Sequence, residues 1–233
     1  MTLPFYEAVE SRRTVRDFLP DPVPRAVLDR CLDAALKAPS SSNLQPWEFV
    51  LLTSEDAKRE GEKVCLNQTA AKRAPLLIAL VAHTDTWRRN RDLIMATFTQ
   101  RGTLRKRQGT YYKKLIPLVY TNGPFGVLGW WKHVVGPVGS LFRPVPNMMP
   151  RHDTRVMVHK STALAAATFM LALRAEGYDS CPMEGFDPWR AKKLLNLPRG
   201  AEVCMFLAVG KRSDTGVWWD RILVPREWVV REL

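Results

Sequence analysis

Three short clusters carry the polar groups that could do chemistry. The first, Ser11-Arg12-Arg13-Thr14-Val15-Arg16-Asp17-Phe18, sets three guanidinium forks beside two hydroxyls. Such forks match phosphate oxygens bidentately, and a hydroxyl adds a donor. Taken alone, the same residues also read as the solvated end of a helix. The second, Ala38-Pro39-Ser40-Ser41-Ser42-Asn43-Leu44-Gln45-Pro46-Trp47-Glu48-Phe49, delivers a polar loop straight into an apolar strand. It can aim several N–H groups and small side chains at a planar or phosphorylated ligand, or spend them on its own backbone. The third is Cys181-Pro182-Met183-Glu184-Gly185-Phe186-Asp187. Proline fixes the chain and glycine permits close approach, so a backbone N–H can face a ligand here; an ordinary connection has the same composition.

Other catalytic schemes find no support. The four histidines, His83, His133, His152 and His159, form no H-E-x-x-H or other ligand spacing, which argues against a zinc hydrolase and predicts no metal. There is no G-x-S-x-G and no P-loop. Cys31, Cys65, Cys181 and Cys204 lie far apart, so neither a zinc knuckle nor a disulfide framework is indicated and reduced thiols are expected.

The elements that must position these clusters follow from periodicity. Phe5 to Ala38 reads as helix, turn, helix, broken at Pro20 to Pro24. Glu48–Thr53, Pro75–His83 and Ala201–Gly210 read as buried strands, Asp56–Thr69 as one helix, and Arg155–Glu176 as a long helix apolar on most faces. From about Thr84 to Thr154 regularity is expected to fail, and Trp218–Leu233 reads as an extended tail. Pro117, Pro124, Pro137, Lys132 and His133 interrupt the apolar stretch from Leu115 to Phe142, which argues against a membrane span there. Apolar strands interleaved with helices predict an α+β or α/β sandwich, one domain over 1–233 with a long insertion at 84–154.

The 233 residues suffice for a sizeable core, and 46% hydrophobic with 25% charged residues is the composition of a globular chain. The N-terminal residues show no basic stretch followed by an apolar one, which predicts no secretory signal and a cytoplasmic protein. The formal charge is +12. Nine of the Lys and Arg residues fall between Arg88 and Lys114, against one acid, Asp92. A local patch of this kind suits anionic small molecules or a membrane surface; no helix-turn-helix, RNP-like or zinc-finger pattern supports nucleic acid.

Together, and in this order, RRTVRDF, APSSSNLQPWEF and CPMEGFD resemble the nitroreductase family of FMN-dependent oxidoreductases. The resemblance covers roughly 5–83 and 155–225 and leaves 84–154 aside. It implies an α+β sandwich with a mostly antiparallel central sheet flanked by helices, and a homodimer with FMN at its interface. Arg12, Arg13 and Thr14 would hold the phosphate and ribityl chain. Arg16 falls beside the flavin N1 and O2 edge, where reduction places negative charge that a fixed cation favours. Pro39, Ser40, Ser41, Ser42 and Asn43 would come from the partner subunit, with Gln45 bracing the loop, and Asn67 would contact the pyrimidine ring. Pro182, Met183, Glu184 and Gly185 would lie along the isoalloxazine, a backbone N–H at Glu184 or Gly185 facing N5. Many members carry Lys-x-Arg near the C-terminus for the phosphate; here Trp219-Asp220-Arg221 keeps only the arginine, with Lys211 and Arg212 as candidate replacements.

The implied activity is ping-pong hydride transfer from NADH or NADPH through FMN to an electron-poor acceptor such as a nitroaromatic, quinone or enone. No side chain is singled out as catalytic. The alternative is a flavin-binding protein without NAD(P)H turnover whose insertion meets a membrane or nucleic acid. In the family the inserted segment often covers the flavin. Here Tyr111, Tyr112, Tyr120, Phe125, Trp130, Trp131 and Phe142 either wall an apolar pocket or pack the lid itself. Arg105, Lys106, Arg107, Lys113 and Lys114 could draw an anionic substrate, the NADPH phosphate or lipid headgroups. The insertion is nearly free of acids, which disfavours the amino acid zwitterions that iodotyrosine deiodinases grip. A bulky apolar or aromatic acceptor is expected.

Overall fold

The structure is a computed structural model; it describes residues 2–121, 141–142 and 151–233, with the backbone alone for 151–153. Phe125, Trp130 and Trp131 lie outside the described residues. The chain opens with α1 (Phe5–Ser11) and α2 (Arg25–Ala35), the latter burying Leu28, Cys31 and Ala35 at helical spacing. A short 3-10 turn, Ser41–Asn43, leads into β1 (Trp47–Leu52). Ser54 caps α3 (Glu55–Val64) by accepting from the Ala57 N–H at 3.2 Å, with Glu55 and Asp56 complementing the dipole in the first turn.

The single helix expected over 56–69 is two. Leu66 and Asn67 take left-handed φ angles of 56° and 55°, ending α3 before α4 (Thr69–Arg73) begins. After β2 (Leu76–His83), where irregular chain was expected, come α5 (Trp87–Gln100), α6 (Lys106–Thr110), a wide π turn at Tyr111–Leu115, and α7 (Ile116–Tyr120). The charged run from Arg88 to Asp92 separates Trp87 from Ile94, Met95 and Phe98 and conceals the apolar face of α5 in the sequence. The long helix is α8 (Arg151–Ala175).

Cys181-Pro182-Met183 is no simple connection. It belongs to β3 (Asp179–Met183), followed by α9 (Pro188–Leu194), whose first two N–H groups bond to the Asp187 side chain at 3.0 Å. β4 (Ala201–Gly210) completes the sheet, and the tail contains one turn of helix, α10 (Arg226–Val229).

The four described strands lie in the order β1-β2-β4-β3, every pair antiparallel, with helices on both faces: an α+β sandwich. β2 is buried on both sides. Leu77 and Ala79 face a core with Val64, Ala70, Ala71 and Phe206, while Leu76, Ile78 and Leu80 face Leu28, Cys31, Phe169 and Leu173. Two-sided burial is why its sequence is a continuous apolar run rather than an alternation. α8 over Thr154–Ala175 is long and apolar enough to cross a membrane. Its Ala165, Ala166, Phe169 and Leu173 are nonetheless fully buried in the protein, which accounts for that composition. A third, smaller core of Leu44, Trp87, Tyr112, Ile116, Tyr120 and Met157 ties the 84–121 segment to the serine loop and to α8.

Candidate cofactor site

The first and third clusters meet on the outer edge of β3. The Val15 N–H donates to the Ser180 carbonyl at 3.2 Å, and Thr14 bridges Ser180 in parallel, so Arg12 to Arg16 runs beside the strand. Strand parity gives Pro182 the same outward edge as the Ser180 carbonyl, where a missing N–H costs no ladder bond. That parity directs the Glu184 N–H outward as well. A sheet edge, normally a liability, here presents backbone donors beside a row of arginines.

The arginines are crowded. The Arg12 guanidinium is held below its usual pKa by partial burial first, then by repulsion from Arg221 and Arg13. Arg221 donates to the carbonyls of Arg12 and Val9, and Arg13 to the Trp219 carbonyl. The acid nearest Arg221 is Glu10 at 3.6 Å, an exposed residue, and a pair of that kind contributes little. Arg16 lies 4.6 Å from the Trp219 ring centroid and 5.4 Å from that of Trp218. Its own N–H donates to the Gly216 carbonyl at 2.8 Å, and a Cβ at Gly216 would meet the Asp17 carbonyl oxygen at 2.6 Å. Only glycine lets the tail come this close.

Lys211 and Arg212 turn elsewhere. Arg212 grips Asp179 with both ends of its fork, at 2.7 and 2.6 Å, and Arg174 adds a third contact at 2.9 Å. Asp179 is buried, and its pairing raises the Arg212 pKa. Lys211 Nζ sits 5.7 Å from the Tyr178 ring centroid. Arg212 is therefore committed to the fold, and Arg221 is the C-terminal cation that joins Arg12 and Arg13.

At the far end of the strip the Gln68 amide donates to the Gly185 carbonyl at 2.6 Å. The exposed, left-handed Asn67 thus stands next to the residue that holds the Pro182–Gly185 segment. No periodicity marks Gln68, which a reading of the sequence alone passes over.

The serine loop is a separate construction. Ser42, Asn43 and Gln45 have φ of 56°, 55° and 46°. Such backbone is held by its surroundings. Ser40 Oγ accepts from the Gln45 N–H at 3.0 Å, and the Gln45 amide reaches both the carbonyl and side-chain oxygens of Asn43 at 3.2 Å. Ser41 N–H donates to Ser161 Oγ, a long bond at 3.4 Å. Pro39 precedes the turn, in the extended entry to Ser40. From the inserted segment, Tyr111 and Ser42 share a hydroxyl bond of 2.7 Å, the Tyr112 hydroxyl donates to the Ser42 carbonyl at 3.1 Å, and the Asn90 amide donates to the Leu44 carbonyl at 2.7 Å. Tyr112 and Tyr120 are buried in this packing, and burial pushes the Tyr120 hydroxyl up to about 12.

The donor set fits a phosphate-bearing flavin. Arg12 is partly buried and repelled by Arg221 and Arg13, offset in part by the charge of Asp179; among the described residues no buried carboxylate is hydrogen-bonded to the three arginines, and the buried Ser180 Oγ in the same strip has no partner. An anion would relieve the first and a ligand acceptor or donor the second.

Comparison with known proteins agrees with this geometry. A model of the family described as "Nitroreductase family" matches residues 9–130 and 136–211, so the 84–154 segment lies largely within the family match rather than beside it. The chain is 27% identical to an NADH dehydrogenase of Thermus thermophilus, over 97% of this chain and 96% of that protein. It is 27% identical to a 4-nitrobenzoate reductase of Pseudomonas putida, over 97% and 93%. It superposes on a putative nitroreductase in complex with FMN from Exiguobacterium sibiricum with a TM-score of 0.73 and 20% identity, covering 100% of both chains. The sandwich, the arginine strip on the β3 edge and the matched residues lead to one assignment: this chain belongs to the nitroreductase family of oxidoreductases.

Proposed function

We propose that the chain is an FMN-dependent NAD(P)H oxidoreductase that acts as a homodimer and reduces an electron-poor acceptor in a two-step exchange. The observation that carries this is the Arg12, Arg13 and Arg221 cluster, repulsive as it stands and placed against an open strand edge. FMN, when bound, supplies the hydride chemistry. These three arginines would hold its phosphate by charge-assisted hydrogen bonds, with Thr14 adding a hydroxyl. Arg16 sets a fixed positive charge beside the ring system, where electron density arrives on reduction. Pro182 to Gly185 would run along that ring, with the Glu184 N–H as the outward backbone donor. Gln68 keeps Gly185 in place, and Asn67 stands beside it.

Two surfaces support the dimer. Val156, Leu164 and Ala167 line an exposed stripe of α8, and Ile222, Leu223, Trp228 and Val229 of the tail are all more than half exposed. Apolar surface of this extent marks an interaction face. The partner's Ser40–Asn43 loop would complete each flavin site, with Pro39 and Gln45 fixing its shape. The four cysteines are unbridged, as in a reducing cytoplasm. The acceptor is an apolar or aromatic molecule such as the nitroaromatic reduced by the Pseudomonas relative.

The test is an absorbance spectrum of the purified protein, supplied with FMN if colourless, before and after anaerobic NADH or NADPH. Flavin bands that bleach with a donor and return with a nitroaromatic are expected. Protein that takes up no FMN, or flavin that neither donor bleaches, would overturn the reading.

A further inference from the structure

The basic cations of the inserted segment are not spread over a solvated face. Arg105, Lys106, Lys113 and Lys114, with Leu104, Gly109 and Thr110, line an open cleft of about 320 Å³ on the 106–115 helical run. No lining residue is acidic, and the sequence has no Asp or Glu between Leu93 and His152. None of the four meets a carboxylate among the described residues. The π turn at Tyr111–Leu115 adds a residue to the helix at this place, and such widened turns recur where a helix is re-aimed for function. Tyr111 and Tyr112 take the side bonded to Ser42, while Lys113 and Lys114 face the cleft.

We propose that this cleft binds the 2'-phosphate of NADPH and sets a preference for NADPH over NADH, an inference that rests on the donor chemistry proposed above. Four unpaired cations exceed what a single carboxylate needs and suit a phosphate monoester, which carries about −1.5 to −2 at neutral pH. The anion would lie across the width of a helix, about 10 Å, from the face that grips the serine loop. Since the proposed dimer sets that loop at a flavin, the cleft lies farther from the reacting ring than the carboxylate of a compact acceptor extends. An extended dinucleotide, with its phosphate on the adenosine ribose and its hydride at the other end, can reach both. The two tyrosine bonds make cleft and loop one unit, so an anion captured here is held in register with the cofactor site.

The experiment uses the flavin-loaded protein, wild type and the double variant Lys113→Ala/Lys114→Ala, since alanine keeps the helix. Adenosine 2',5'-bisphosphate is titrated calorimetrically, with adenosine 5'-monophosphate as control, and kcat/KM is measured for both donors. The wild type is expected to hold the bisphosphate about tenfold or more tightly than the monophosphate, and the variant to lose that margin. The NADPH to NADH ratio of kcat/KM should fall by a similar factor. Equal affinity for the two adenosine phosphates, or equal losses with both donors, would overturn the proposal. So would a variant that keeps its NADPH preference but no longer sediments with phosphatidylserine vesicles, which would assign the cleft to a membrane surface. The titration needs no turnover. Protein without FMN that still prefers the bisphosphate would refute the oxidoreductase reading and spare the cleft, and flavin-loaded protein indifferent to the 2'-phosphate would refute the cleft alone.

Discussion

Two groups of arginines meet at Ser11 and Arg12, and they are held in opposite ways. Arg174 and Arg212 close on Asp179, which is buried with its carboxylate accepting from both guanidinium groups; Arg212 also reaches the Ser11 carbonyl at 3.1 Å and Arg174 the Ser11 hydroxyl at 3.1 Å. One residue further on, the Arg12 pKa is lowered by burial first and then by Arg221 and Arg13, while Arg221 and Arg13 donate their hydrogen bonds to backbone carbonyls. A cation with a buried acid of its own is part of the scaffold, because removing either member strands a charge. A cation whose hydrogen bonds go to carbonyls, with the exposed Glu10 and the already paired Asp179 as its nearest acids, keeps charge that an outside anion can take up. The same residue type thus serves the fold in one case and, on the proposed function, the ligand in the other.

The comparison predicts its largest effect at the acid. Asp179→Asn keeps the shape but leaves Arg174 and Arg212 without a counter-charge, and should cost about 3 kcal/mol of unfolding free energy, since both arginines are mostly buried. The check is a urea unfolding curve against wild type. A loss below about 1 kcal/mol would place the pair among surface ion pairs and dissolve the distinction.

The next effect separates the two groups by readout. Arg12→Ala should weaken FMN binding by roughly 10- to 100-fold, the worth of a charge-assisted hydrogen bond, while leaving apoprotein stability within about 0.5 kcal/mol. Arg212→Ala should do the reverse, lowering the unfolding midpoint with FMN affinity per folded molecule unchanged. Flavin fluorescence titration and thermal unfolding of both apoproteins decide it. Swapped outcomes would mean that Arg212, and not Arg12, reaches the phosphate.

How much of this was legible in the sequence depends on where each partner lies along the chain. β2, β4 and the long helix announce themselves because their burial is continuous or periodic over many residues; β1 shows the same apolar run, but the buried strand expected there is an edge strand that fully buries only Leu52. β3 does not: it is five residues long and contains a proline that only its edge position makes harmless. α5 hides because its first turns are a charged run, from Arg88 to Asp92, that parts Trp87 from the apolar residues after it. At the site, the resemblance put Arg12 to Arg16 and Pro182 to Gly185 at one cofactor, and the Val15 to Ser180 bond brings them side by side. The sorting of arginines was not readable. The resemblance keeps Arg221 and leaves Lys211 and Arg212 as candidate replacements; what removes Arg212 is Asp179, a contact across 33 residues that no local pattern encodes. Gln68 is missed for the same reason, and Tyr111 and Tyr112, though named, show nothing in the sequence of their bonds to Ser42: each acts through a carbonyl or hydroxyl far away along the chain.

The smallest effect concerns the acid that borders both groups. Asp17 follows Arg16 and accepts from Ser213 at 2.8 Å and Thr215 at 3.0 Å, fastening the loop whose Gly216 carbonyl receives the Arg16 N–H. Its pKa is lowered from 3.8, first by the Ser213 hydrogen bond, then by that from Thr215, with Arg73 contributing less. A carboxylate whose folded pKa is depressed stabilises the fold above its unfolded value; that contribution fades as pH falls through the folded one. Wild type should therefore lose stability from about pH 4 downward more steeply than Asp17→Asn, which has no proton to take up there. Urea midpoints measured from pH 6 to pH 3 test this. Parallel curves would show that the loop under Arg16 is held by its glycine and backbone alone, leaving Arg16 with no acid-linked support and closer in kind to Arg12 than to Arg212.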